Sequence, residues 1–421
     1  MTDTGEAAKW FRDRATVLSS LNTEKALDQL EEVRDLIVGA RVVGVGEAAH
    51  FIDEFTAARQ LLLRFLTERC GFSVLAFEVG FAEALPIAPW LRGEGNDEAL
   101  TEFMSTTNVW VGGKLKQWLR QHNMTSDTVV DFVGIDVPDA GGQLRPALEP
   151  VADYLAEVDP EALPRLETAL RISDKFVGGS AAAAAPEWGK LPDRDRDALT
   201  ASLARLRERA LGLRDLYIER SDAETFELHA RLLEAACATD YMFSAMHDVF
   251  SGGGLSADTS VRERFMAESV LWHMDRHPGD RFIVMAHNNH IQKTSISFAG
   301  HLFGIPMGQQ LHAALGVDYR AIALTHTAEQ TPEMFPDTTV EPGFRVEEIQ
   351  LERPVPGSVE ATLIDADLGR EISISNLRNF PDDIELSSIR TQGATMETSI
   401  TEAFDGVLCS PTATTDDSVI S

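Results

Sequence analysis

The chain has 421 residues, 44% of them hydrophobic, enough to bury one large core or two smaller ones. Its 37 Lys and Arg against 67 Asp and Glu give a formal net charge of −30, which argues against nucleic acid and anionic membrane surfaces and is compatible with a neutral or cationic small ligand. Cys70, Cys237 and Cys409 form no CxxC, so neither a disulfide framework nor a thiolate zinc site is indicated; with no apolar run near about 18 residues and a charged start, MTDTGEAAKWFRDR, a cytoplasmic protein is expected.

Asn22 or Thr23 is placed to cap a first helix carrying Leu27, Leu30, Val33 and Ile37 at near-helical spacing. Arg41 to Val45 reads as a buried strand that passes through Gly44 and Gly46 into Glu47 and His50. A helix follows, with Ile52, Phe55, Leu62, Phe65 and Leu66 on one side. Further strands are predicted at Ser73 to Val79 (ending in Glu78), Val129 to Val137 (ending in Asp136), Arg281 to Ala286 (ending in His287) and Tyr319 to Leu324, before Thr325 and His326. Between the third and fourth strands, Pro160 to Ile172, Asp195 to Arg220, Ala223 to Phe250 and Ser260 to His277 read as helices. GGSAAAAAPEWG, within Val177 to Gly189, reads as a low-complexity loop or flexible cover, and Gly252 to Gly254 as a break between helices. Beyond about Pro342 the sequence turns polar and irregular.

The expected class is α/β: a mostly parallel central sheet flanked by helices, with a helical subdomain inserted between the third and fourth core strands. The boundaries are 1–146 for the N-terminal part of the core, 147–278 for the subdomain, 279–405 for the C-terminal part and 406–421 for a disordered tail. The subdomain is either a wall or lid over the strand ends or plain scaffold.

Glu47, Glu78, Asp136 and His287 each follow or end a strand, and in a parallel sheet such ends share one edge, so distant groups converge there. Gly44, Gly46 and Ala49 fit the loose dinucleotide fingerprint, but Glu47, Asp53 and Glu54 put negative charge where phosphates would lie. Two readings stay open: Glu47 caps the helix beside a satisfied interfacial His50, or His50 is a base that the helix dipole keeps neutral. His287 and His290, in MAHNNHIQK, are close enough on a tight turn to face one cavity. With Glu47, His50 and Glu78 they are also groups that zinc accepts, although the spacing is not H-E-x-x-H and nothing requires a divalent metal. No Gly-x-Ser-x-Gly elbow offers a serine nucleophile.

RVVGVGEAAHFIDEF, SVLAFEVGFAEA, FVGIDVPDAGG, SGGG before RERFMAESVLWHM, VMAHNNHIQK, and PMGQQL before LGVDY occur in that order from Arg41 to Tyr319. In these pieces the chain resembles the erythromycin esterases, and most closely their type II branch. The resemblance implies hydrolysis of a macrolide's lactone ester, and so antibiotic resistance, with no tightly held metal or other cofactor. It places the general base on His50, with Glu47, Glu78, Arg59, His287 and His290 around it. In that chemistry His50 takes a proton from water, oriented by Glu47 or Glu78, while Arg59 or a protonated His287 meets the oxyanion and His290 positions its neighbour. Asp136, Asn288 and Phe81 are candidates for holding substrate. The expected partner is a small-molecule macrolide, with no nucleic acid and no membrane. Two alternatives are a relative that hydrolyses or cyclises another polyketide in biosynthesis, and a macrolide-binding protein without turnover; the number of titratable groups argues against the second.

Overall fold

The computed structural model describes residues 3–22, 24–95, 113–298, 302–337, 340 and 344–416. In chain order its strands are β1 Thr16–Leu18, β2 Val42–Val45, β3 Val74–Gly80, β4 Asp131–Asp136, β5 Phe282–Met285, β6 Ile296–Phe298 and β7 Leu302–Gly304. There follow β8 Tyr319–His326, β9 Gln330–Pro336, β10 Phe344–Gln350, β11 Ile372–Asn376, β12 Ser388–Thr391, β13 Ala394–Glu397 and β14 Gly406–Ser410. An eight-stranded sheet has the order β1-β11-β14-β8-β2-β5-β3-β4. From β14 to β4 every neighbouring pair is parallel, and β11 and β1 add an antiparallel margin. The mostly parallel sheet expected from the sequence is therefore present.

The reason lies in the runs VVGV, FIVM and YRAIALTH, which are buried along their whole length, as parallel strands covered on both faces must be. Alternate side chains divide between two cores: Val43, Val45, Leu75, Phe77, Ile283 and Met285 face one layer, and Val42, Val74, Ala76, Phe282 and Val284 the other. The helix expected to come first is Glu24–Leu30, continued by a 3-10 stretch Glu31–Ile37, and it buries Leu27, Leu30, Val33 and Ile37; another helix, Asp3–Arg14, precedes it, and Thr23 lies outside the described residues.

Between β4 and β5 the chain forms helices that include Arg145–Val158, Leu163–Ser173, Asp193–Gly212, Arg214–Arg220, Ala223–Phe250 and Val261–Arg276. A third core, with Leu148, Tyr154, Leu199, Tyr217 and Phe243, joins most of them. The single helix expected over Asp195 to Arg220 is two, interrupted at Leu213. GGSAAAAAPEWG is no loop: Ala181–Gly189 is helical, with Ala184, Ala185 and Trp188 buried and Trp188 Nε1 donating to Asp240 Oδ1 at 3.1 Å. Alanine's high helix propensity outweighs the low complexity. No helix among the described residues is long and apolar enough to cross a membrane.

The C-terminal part departs furthest from expectation. The stretch beyond about Pro342 contributes β11 and β14 to the main sheet and the β12–β13 hairpin to a smaller one; 341–343 lie outside the described residues. The expected disordered tail begins with β14, buried throughout and inserted between β8 and β11. Past it the chain binds mainly through its backbone, which composition does not reveal. The Asp53 N–H donates to Thr414 O at 2.9 Å, the Asp416 N–H to Phe51 O at 2.8 Å, and the Thr414 N–H to Glu54 Oε2 at 2.8 Å. This brace grips the turn that follows His50; the rest of the expected tail, 417–421, lies outside the described residues.

Candidate active site

Gly44 and Gly46 are small because neighbours press on them. A Cβ at Gly44 would lie 2.8 Å from the Tyr319 hydroxyl, and one at Gly46 only 1.9 Å from Asn288 Oδ1. The turn beyond them does not enter a helix until Asp53, after an extended Ile52. His50 therefore stands outside the first helical turn, and the dipole argument for a neutral base fails. Phe51 beside it has φ 63°, a region that a bulky residue occupies only when its surroundings hold it there, and the C-terminal brace does so.

Glu47 links two partners. Its Oε1 accepts from His50 Nδ1 at 2.7 Å and its Oε2 pairs with Arg59 Nη1 at 2.9 Å. Burial pushes the Glu47 carboxyl up, but Arg59 and then His50 outweigh it and leave it below its ordinary value. Burial likewise opposes a charged His50, yet Glu47, and Glu78 more weakly, hold its pKa above the ordinary one. Arg59 is buried: Nε donates to Gly46 O at 3.1 Å and Nη2 to Ala286 O at 2.7 Å. It clamps the two strand ends and orients Glu47; it does not line the cleft, so the oxyanion role expected for it is not supported.

His290 is enclosed by two carboxylates, Glu263 Oε1 at 2.6 Å from Nδ1 and Glu78 Oε1 at 3.0 Å from Nε2. Against burial, Glu263 and Glu78 hold its pKa well above the ordinary value, and it in turn holds both glutamates below theirs. Arg262 closes the network, donating through Nε and Nη2 to Asp136 at 2.9 and 2.6 Å. Asp136 reaches the cleft as expected, but both its oxygens serve Arg262.

His287 lies with its ring centre 5.3 Å from that of His50. Its Nε2 meets Ala48 O at 2.8 Å and its Nδ1 accepts the Asn289 N–H at 3.2 Å, a pattern that fits the neutral imidazole. Burial, with His50 and His290 adding to it, pushes its pKa down to about 3. The expected protonated oxyanion donor is thus a neutral structural group. Asn288 is wholly buried and clasps β8, donating to Leu324 O at 2.8 Å and accepting the Leu324 N–H at 3.2 Å. Phe81 is core, edge-on to Trp272 and stacked on His273. Neither lines the cleft, which corrects their expected substrate contacts.

The cleft has a volume of about 560 Å³ and gathers His50, Glu78, Asp136, His287 and His290. Met242, Met246, Val249, Phe250, Phe303 and Ile305 give it an apolar wall, so much of that wall comes from the helical interval. A larger cavity of about 1080 Å³ among the helices Asp193–Gly212, Ala223–Phe250 and Val261–Arg276 contains none of these acids and histidines. Sequence reasoning missed Arg262, Glu263 and Gln392, the last donating no motif but accepting the His50 N–H through Oε1 at 3.3 Å. Among the described residues no three His, Cys, Asp or Glu side chains are grouped to hold a metal ion.

A protein-family model described as erythromycin esterase matches residues 67–413. The chain belongs to the erythromycin esterase family. Members of that family named as esterases, which are hydrolases of ester bonds, are close relatives. Erythromycin esterase type II of Escherichia coli is 34% identical over 405 residues, 95% of this chain and 96% of that protein. Erythromycin esterase type I of Escherichia coli is 33% identical over 390 residues, 92% of this chain and 95% of that one. Among solved structures, a histidine-to-asparagine mutant of the erythromycin esterase EreC in its open conformation superposes with a TM-score of 0.87 at 30% identity, covering 95% of this chain and 98% of the other. A Bacillus cereus protein at 18% identity and a TM-score of 0.75 shares the esterase fold.

Proposed function

We propose that this protein hydrolyses the macrolactone ester of erythromycin-type antibiotics, with His50 as general base on a water molecule. The observation that carries the mechanism is the buried chain Arg59–Glu47–His50, of which His50 reaches a cleft with an apolar wall. Glu47 accepts a hydrogen bond from the Nδ1–H, which fixes the tautomer with its basic electron pair on Nε2. That nitrogen removes a proton from water as the water oxygen bonds to the lactone carbonyl carbon. When the tetrahedral intermediate collapses, the C–O bond of the ring breaks and the imidazolium, supported by Glu47, returns the proton to the departing alkoxide. One water is consumed and a ring-opened hydroxy acid results. A positioned base of this kind is worth roughly 10² to 10⁴ in rate. For the oxyanion we assign the side-chain amide of Asn289, which lines the cleft beside His287 and whose Oδ1 already accepts from Thr391 Oγ1 at 3.3 Å. The substrate class is supported by the relatives named erythromycin esterases and by the methionine and aromatic wall, suited to a large apolar ring.

The test is mass spectrometry of erythromycin incubated with the purified protein, with and without a chelator. A gain of one water in both is expected. A gain lost with the chelator would replace the metal-free mechanism, and an unchanged mass in both would overturn the substrate.

A further inference from the structure

Just past β3 and Glu78 the chain enters the helix Phe81–Leu91, whose first turn carries Glu83. Glu83 lines the same cleft as His50, but its setting differs from that of Glu78, Asp136 and Glu263 there. Asp136 pairs with Arg262, and Glu78 and Glu263 with His290. The charged groups that bear on Glu83 are instead Asp139, from the turn after β4, and Asp136 from β4 itself, the latter already paired with Arg262. Its Oε1 accepts the Asp139 N–H at 2.6 Å; its Oε2 is buried over Gly80 without a hydrogen-bond partner. The turn that delivers this N–H is strained. Asp139 and Ala140 both have φ 49°, two successive residues with side chains in the left-handed region, and both line the cleft. Such conformations persist only where the surroundings impose them. Gln143, donating to Asp139 Oδ2 at 3.0 Å, is the other side chain holding the turn.

We propose that Glu83 is a positioning residue for substrate: its carboxyl, accepting the Asp139 N–H, holds the Asp139–Ala140 turn in the form that walls the cleft. This rests on the macrolide reading above and assigns the wall that receives the ring. Burial first, and Asp139 next, push its pKa up to about 8, so the acid keeps its proton at neutral pH. Above that value a third negative charge faces Asp139 and Asp136 in a buried space, which water or a movement of the turn must relieve. Binding of the ring then weakens while the chemistry at His50 is less affected.

The experiment follows KM and kcat for erythromycin between pH 6 and 10 in the wild type, Glu83→Gln and Glu83→Ala. In parallel, hydrogen exchange of the peptide spanning 138–143 is read after correction for intrinsic base catalysis. Losing the hydrogen bond in Glu83→Ala should raise KM roughly three- to tenfold at neutral pH, with kcat changed less. In the wild type KM and exchange both climb as pH passes about 8. Glu83→Gln keeps an uncharged acceptor for the Asp139 N–H, so it should rescue the neutral-pH KM of the alanine variant and abolish the alkaline rise. An alkaline rise retained in Glu83→Gln, or a turn equally protected at pH 7 and pH 10 in the wild type, would overturn the proposal. Exchange reads the turn without substrate, so a failure of the macrolide reading shows itself separately, as absent turnover.

Discussion

His50 and His290 stand in one cleft and each meets a glutamate through Nδ1, at 2.7 and 2.6 Å, yet their surroundings assign them opposite work. Glu47, the partner of His50, is shared with Arg59, and the imidazole stays able to gain and lose a proton. His290 has a second carboxylate on its other nitrogen, and its proton is the cation that lets Glu78 and Glu263 be buried together. The number of carboxylates touching an imidazole, one on His50 and two on His290, rather than its place in a cleft, is what would separate a base from a structural cation here.

Removing each histidine tests the contrast. His50→Ala should lower kcat by roughly 10² to 10⁴ with the unfolding midpoint nearly unmoved, as read by initial rates and urea titration; a rate near that of the wild type would place the base elsewhere. His290→Gln should act on folding first. It removes the cation between two buried carboxylates and leaves only Arg262, 3.5 Å from Glu78, to offset them; losing one partner of a buried pair costs about 3 to 5 kcal/mol, and Glu263→Gln added to it should recover part of the loss. Equal stability of His290→Gln and wild type would dissolve the distinction. The smallest effect is a slope. Because the His50 pKa is raised, its base form is lost as pH falls through that value, so kcat should drop about tenfold per pH unit below it, with the break above the ordinary histidine value of about 6.5. A break below that value would show burial to outweigh Glu47.

What the sequence disclosed follows from the same physics. Parallel strands buried on both faces betray themselves as apolar runs, and their ends share an edge, so Glu47, His50, Glu78, Asp136 and His287 could be gathered from linear order alone. The roles were less legible. Arg262 and Glu263 sit in the first turn of a helix, where charges usually mean no more than termini and solvent. His287 and Asn288 are committed to backbone groups of Ala48, Asn289 and Leu324, and no residue pattern records a carbonyl's position. Gln392 reaches His50 from a hairpin far along the chain, and Phe81 looked available only because its partners Trp272 and His273 are equally remote. β14 escaped notice because its five residues are followed by a polar stretch that earns its place through main-chain hydrogen bonds.

The brace formed by Thr414 and Asp416 sets an order of assembly during synthesis. The turn that carries His50 leaves the ribosome early, but the strand that fills the gap between β8 and β11, and the residues that fix Phe51, are translated more than three hundred positions later. At about 5 to 20 residues per second, the nascent chain carries His50 on a turn without that brace for roughly 20 to 70 seconds. The frame around His50 is therefore complete only once residues 406–416 are made, and a ribosome that stalls before them yields a chain that has His50, Glu47 and Glu78 but lacks the strand and brace that hold this turn.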